Sequence, residues 1–147
     1  MTMNNLQAHF IVYGEPFGKK SVQAYISGGR VSTYAPKENK NYQASIKMAY
    51  IDTNKDIYFG DKTQLKVVIK AYRSIPKATS KKRHALMLDK QIKPITKPDT
   101  DNISKAICDG LNKLAFRDDS QITTLIVKKY YDTIPRVEVF IEIDKGE

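Results

Sequence analysis

"KPDTDNISKAICDGLNKLAFRDDSQI", residues Lys97 to Ile122, is the stretch on which the reading of this chain turns. Within it Ile103, Ala106, Ile107, Leu111, Leu114 and Ala115 recur at helical spacings, so the pattern predicts a helix from about Thr100 to Phe116 with one buried stripe. Gly110, inside that helix, costs on the order of 1 kcal/mol relative to Ala and points to close packing there. Acids bracket the helix: Asp99 and Asp101 at its start, Asp109 within it, Asp118 and Asp119 beyond its end. A helix of about 16 residues spans roughly 24 Å, so only a chain that folds back brings Asp119 towards Asp99 and Asp101.

On either side of this segment the chain reads as strands and shorter helices. His9–Tyr13 is rich in β-formers and ends at the Gly14–Pro16 turn; Val22–Ile26 and Arg30–Tyr34 flank Ser27-Gly28-Gly29 as a hairpin. Tyr42, Ile46, Ala49 and Tyr50 follow Pro36 at helical spacing and predict a helix over about 37–53. Leu65–Tyr72 is a strand that Pro76 ends. Ser80 caps a short helix with Lys81, Lys82 and Arg83 outward and Ala85, Leu86 and Leu88 inward. Gln121–Asp132 and Arg136–Ile143 are expected to close the chain as an antiparallel pair. The whole is an α+β pattern of a size that suits one domain, residues 1–147, without repeat or linker.

Composition narrows the function. The net charge of +9 points to a polyanionic partner, nucleic acid first, because each phosphate neutralised by Lys or Arg releases counterions. Small basic proteins also carry such charge for solubility alone, and its distribution is more informative. From Lys70 to Lys97 there are nine Lys or Arg residues and one acid, Asp89, whereas the acids gather immediately afterwards. The single cysteine, Cys108, excludes an internal disulfide and disfavours a zinc site, and fits a reducing cytoplasm. No apolar run approaches the roughly 18 residues of a membrane span, and no signal-peptide pattern opens the chain.

Each acidic residue has two readings. Asp99 and Asp101 are suited to cap a helix, satisfying free N–H groups and complementing the macrodipole by about 0.5–1 kcal/mol. Asp118 and Asp119 are suited to an ordinary turn. An EF-hand is excluded, since it needs an oxygen ligand where Ile103 stands and glycine where Ser104 stands. Lys105, four residues after Asp101 on the same helical face, is either a surface ion-pair partner or an ammonium for a scissile phosphate. The second set of readings matches phosphodiester hydrolysis. There carboxylates hold Mg²⁺, a hard cation that polarises a phosphoryl oxygen and acidifies bound water.

The quoted run resembles the signature of RusA-type Holliday-junction endonucleases, many of them carried by phages and prophages. In that family two aspartates separated by one residue and followed by Asn open a helix, a Lys follows four residues after the second, and Asp-Asp-x-Gln comes after the helix. Here these are Asp99, Asp101, Asn102, Lys105 and Asp118-Asp119-Ser120-Gln121. The resemblance extends through "IPKATSKKRH" to "IVKKYYDTIPRVEVFIEI". It implies a mixed α+β fold, a homodimer, magnesium held by Asp99, Asp101 and Asp119, and assistance to catalysis by Lys105; Asp118 is the weaker candidate of its pair. It further implies an Mg²⁺-dependent endodeoxyribonuclease that resolves branched DNA in recombination and repair. The chain departs from some members in having Pro98, not a basic residue, before the first aspartate. The expected DNA surface comprises Arg73, Lys77, Lys81, Lys82, Arg83 and Lys97. Two alternatives stand beside this one: a basic DNA-binding protein without activity, and a nuclease of flaps or forks with the same chemistry.

Overall fold

The computed structural model describes residues 5–146. Alternation of apolar and polar side chains builds its main sheet. β1 (Gln7–Tyr13) buries Ala8, Phe10 and Val12; β4 (Leu65–Ser74) buries Leu65, Val67, Ile69 and Ala71; β6 (Arg136–Ile143) buries Val137, Val139 and Ile141 on the same face. With β5 (Ile122–Asp132) the order is β1-β6-β4-β5, antiparallel except for the parallel pair β4–β5.

That order corrects one expectation. β5 and β6 were expected to pair with each other, but β4 lies between them, parallel to β5 and antiparallel to β6. Strand periodicity specifies which face is buried and is silent on which neighbour pairs. Arg136 shapes the connection: its guanidinium lies 3.9 Å from the Tyr72 ring of β4. It also donates to Asp132 Oδ2 (3.0 Å), the Ile134 carbonyl (2.8 Å) and Glu138 Oε2 (2.8 Å).

Two helices cover the buried face. From α1 (Lys37–Asn54) come Ile46 and Tyr50, and from α3 (Thr100–Leu111) come Ile103, Ile107 and Leu111, all in one core with Phe10, Phe59 and Phe116. Phe116 is thus a core anchor. α3 stops five residues earlier than the apolar spacing predicts, because Asn112 leaves helical geometry (ψ 131°) and Lys113 takes φ 68°. Leu114, Ala115 and Phe116 still turn inward, now from a tight turn in which Lys113 N–H donates to the Phe116 carbonyl at 2.7 Å. Burial, not helical phase, explains their spacing.

α2 (Lys81–Leu88) sits beside β5, and Ser80 Oγ accepts from Arg83 N–H at 3.3 Å, as its cap position predicts. Its inward residue is Met87; Ala85 and Leu88, expected inside, are exposed. The helix is short enough that a one-residue difference in facing fits the same sequence. β2 (Gln23–Ser27) and β3 (Arg30–Tyr34) form a separate hairpin turning at Gly28 and Gly29, whose positive φ (58° and 77°) glycine adopts freely. No helix among the described residues is long and apolar enough to cross a membrane.

Candidate active site

The entry into α3 is held from two strands. Arg73 Nη1 on β4 donates to Thr96 Oγ1 (2.5 Å) and to the Lys97 carbonyl (2.8 Å), and Lys129 Nζ on β5 donates to the Thr96 carbonyl (2.7 Å). These contacts fix the loop that carries the cis Lys97–Pro98 bond and leads into Asp99. From the other side Gly18 presses against Pro98 and Asn102; a Cβ there would lie 2.8 Å and 3.2 Å from their Cβ atoms.

Asp99 occupies the N-cap position, with its carbonyl accepting from Ile103 N–H at 3.0 Å, yet its carboxylate makes no capping hydrogen bond. Capping therefore does not account for this side chain, which is exposed. Asp101, in the first turn, meets Lys105 one turn on: Oδ2 to Nζ is 3.1 Å, with side-chain exposures of 72% and 56%. An ion pair this exposed contributes little stability, about 0.3–0.5 kcal/mol for an i, i+4 helix pair. Both groups are open to a ligand.

Asp119 follows α3 in the chain, at the turn that leads into β5. Asp118 and Gln121 form a reciprocal cap around the single 3₁₀ turn Asp119–Gln121 that leads into β5. Hydrogen bonding from Ser120 holds the Asp118 carboxyl below the usual carboxylate range. Gln121 is the anchor of this turn. Its Oε1 accepts from the backbone N–H of Arg117 (2.9 Å) and Asp118 (3.1 Å), and its Nε2 donates to the carbonyls of Gly60 and Thr63 (3.0 Å each). Asp119 is near enough to Cys108 that its charge, with that of Asp109, adds to burial in pushing the thiol up to about 12. Cys108 is seven residues beyond Asp101, about 10 Å along a helix axis.

The chain thus folds back beside α3, which brings Asp119 within electrostatic reach of Cys108 in that helix. Among the described residues no three Asp, Glu, His or Cys side chains gather round one ion-sized space. Magnesium does not demand such a cage, since it commonly takes one or two carboxylates and completes its octahedron with water and substrate phosphate. The hard oxygens of Asp99 and Asp101, exposed and free of capping duty, fit that requirement.

Of the expected DNA contacts, Lys77, Lys81, Lys82, Arg83 and Lys97 are exposed, while Arg73 is half-buried and engaged with the loop before α3. Sequence reasoning passed over Lys19, whose Nζ lies 2.7 Å from Asp109 Oδ2, and Lys129. Lys19 carried one available signal: with Lys20 it forms a cation pair immediately after a glycine in a stretch without strand or helix pattern.

The family model described as Endodeoxyribonuclease RusA matches residues 14–142, which include every one of these positions. The chain belongs to the RusA endodeoxyribonuclease family. Membership places it among enzymes that hydrolyse DNA phosphodiester bonds, so the inactive DNA-binding protein is set aside. It is also 34% identical over 134 residues to "Uncharacterized protein YqaN" of Bacillus subtilis (strain 168), an alignment covering 90% of this chain and 93% of that protein. In this RusA-family chain the motif's Gln121 has structural work, fixing the turn that bears Asp119, while position 102 contributes its backbone carbonyl, which accepts from Lys19 N–H at 3.1 Å.

Proposed function

We propose that this RusA-family chain, acting as one domain and as a homodimer, is an Mg²⁺-dependent endonuclease that resolves four-way DNA junctions by paired nicks during recombination and repair. The observation that carries the reading is the exposed set at the start of α3: Asp99 with its carboxylate unused in capping, and Asp101 beside Lys105.

Asp99 and Asp101 would hold the metal, with Asp119 as the third carboxylate, and the ion would polarise a phosphoryl oxygen and lower the pKa of water. Lys105 presents an ammonium with three donors next to Asp101, placed to bind a non-bridging phosphate oxygen and to offset charge developing on it. Arg73 and Lys129 restrain the loop before Asp99, so the carboxylate does not have to be ordered at the moment of reaction. Lys77, Lys81, Lys82, Arg83 and Lys97, with the nitrogens of Arg73 not given to the loop, are proposed contacts to DNA phosphates. A homodimer suits a four-way junction because two sites related by a two-fold axis can reach its two symmetry-related strands.

The test is incubation of purified protein with a mobile four-way junction, a flap, a fork and linear duplex, each with and without Mg²⁺. Symmetric paired nicks in the junction alone, dependent on Mg²⁺, are expected. Cutting confined to flaps or forks would keep the chemistry and replace the substrate; no cutting of any branched DNA defeats the reading.

A further inference from the structure

We infer that the groove between α1, α3 and the segment 18–22 is a binding track for the phosphodiester backbone of the DNA being cut, with Lys20 and Lys40 as phosphate contacts. This rests on the nuclease reading and assigns its substrate a path. The groove measures about 450 Å³ and runs directly beside the candidate active site, since Lys105 and Asn102 of α3 form part of its wall. Lys19, Lys20 and Lys40 bring its lysines to four, against one lining carboxylate, Asp109, that is already paired with Lys19 at 2.7 Å. Two further acids lie nearby: Asp101 on Lys105, and Glu38 at 3.8 Å from Lys20 Nζ, a long and exposed pairing that a phosphate can displace.

The track is rigid where it carries these cations. Buried Asn39 grips the Lys20 backbone from both sides: its Oδ1 accepts from Lys20 N–H and its Nδ2 donates to the Lys20 carbonyl, each at 2.9 Å. Lys19 N–H donates to the Asn102 carbonyl, and Gly18 has no room for a side chain against Pro98. The backbone of residues 18–20 is therefore bolted to both helices while the lysine side chains remain exposed. Exposed cations on a fixed backbone, two of them (Lys20 and Lys40) held by no close ion pair among the described residues, suit a polyanion with repeating charge, and the polar wall supplies amide donors without reading a base.

The experiment measures binding of a labelled four-way junction in EDTA over a range of salt for wild type, Lys20→Ala/Lys40→Ala, Lys20→Arg/Lys40→Arg and the exposed control Lys62→Ala. The double alanine variant should reduce the slope of log affinity against log salt by about two and weaken binding on the order of tenfold per lysine at 0.1 M salt; the arginine pair should restore the slope. An unchanged thermal transition separates lost contacts from lost folding. A double alanine variant that binds with the wild-type slope, while wild type still cuts in Mg²⁺, overturns the groove alone. Wild type that binds no branched or duplex DNA overturns the groove together with the reading it rests on.

Discussion

Gly110 of α3 and Ile46 of α1 touch so closely that a Cβ on Gly110 would lie 2.8 Å from both Cβ and Cγ2 of Ile46. Ile46 is fully buried, and its Cβ cannot swing aside as the end of a flexible chain would. Gly110→Ala therefore sets a gain of about 1 kcal/mol in helix propensity against an overpacking cost in the upper part of the usual range, about 2–3 kcal/mol, because three Ile46 atoms would lie under 3.0 Å. A net loss of about 1–2 kcal/mol is expected, read as a lower urea midpoint with unchanged slope. A variant as stable as wild type would mean that α1 and α3 separate freely.

This contact also shows how far the residues alone lead. Gly110 in a helical pattern announces a close approach, but nothing in its neighbours says that the approaching residue is Ile46, 64 positions earlier. The same limit recurs in the sheet. The alternation in Arg136–Ile143 locates β6 and its buried face, whereas its place between β1 and β4 depends on how the crossover through α2 and α3 returns the chain. At the site, the spacing of Asp101 and Lys105 dictates their meeting because one helix contains both. The position of Asp119 was not legible in that way, since it follows from the turn at Asn112–Phe116 and from the grip of Gln121 on Gly60 and Thr63.

Gln121 makes four hydrogen bonds to backbone groups on both sides of the turn that bears Asp119. Gln121→Ala abandons all four, each worth about 0.5–1.5 kcal/mol, and because water reaches this half-buried side chain the loss falls at the low end of their sum, about 2–3 kcal/mol. Gln121→Glu is the sharper variant, because a carboxylate can accept from Arg117 and Asp118 but cannot donate to the carbonyls of Gly60 and Thr63. Both variants should unfold at lower urea concentration than wild type. Equal midpoints for Gln121→Glu and wild type would remove the donor role.

Burial, aided by Asp119 and Asp109, pushes the Cys108 thiol up to about 12. At pH 8 the thiolate is then roughly one part in ten thousand, and a thiol-specific reagent should label the folded protein only as fast as it opens. Stability follows the same shift: the folded state retains its proton where the unfolded thiol, near 8.5, has lost it. The contribution is complete below that value and declines as pH rises towards 12. Cys108→Ala should therefore lose less stability than wild type between about pH 8.5 and 12, which urea titrations at stepped pH would measure. Rapid labelling in native buffer would contradict the burial on which this depends.

Asp101→Asn removes one hard oxygen and the charge that faces Lys105 while keeping shape, so helix and core should be undisturbed. Cleavage of a four-way junction in Mg²⁺ should fall by about 100-fold or more, while junction binding in EDTA holds or strengthens, because a negative charge has left a surface that meets phosphate. Single-turnover cleavage and anisotropy read the two effects separately. Retained cleavage by this variant would remove Asp101 from the proposed metal set.

Arg73 distinguishes two roles that its charge alone confuses. Its Nη1 serves two acceptors at once, Thr96 Oγ1 and the Lys97 carbonyl, and so restrains the loop that delivers Asp99. A guanidinium nitrogen is oriented by its planar group, whereas a lysine ammonium on a flexible stem does not reproduce that restraint. If Arg73 chiefly positions the loop, Arg73→Lys should keep the salt dependence of junction binding and lose turnover, on the order of 10- to 100-fold for a displacement near 1 Å. If it chiefly contacts DNA, the same variant should keep both, and Arg73→Ala should reduce the log-salt slope by about one. The geometry favours the first outcome, since Lys129 reaches the same Thr96 from β5 at 2.7 Å and the two cations together tie the loop to neighbouring strands. Lys129→Ala should then share the turnover defect of Arg73→Lys with little added effect in the double variant, as expected when two residues hold one element. Full turnover in both single variants would leave the loop positioned by Pro98 and Gly18 alone.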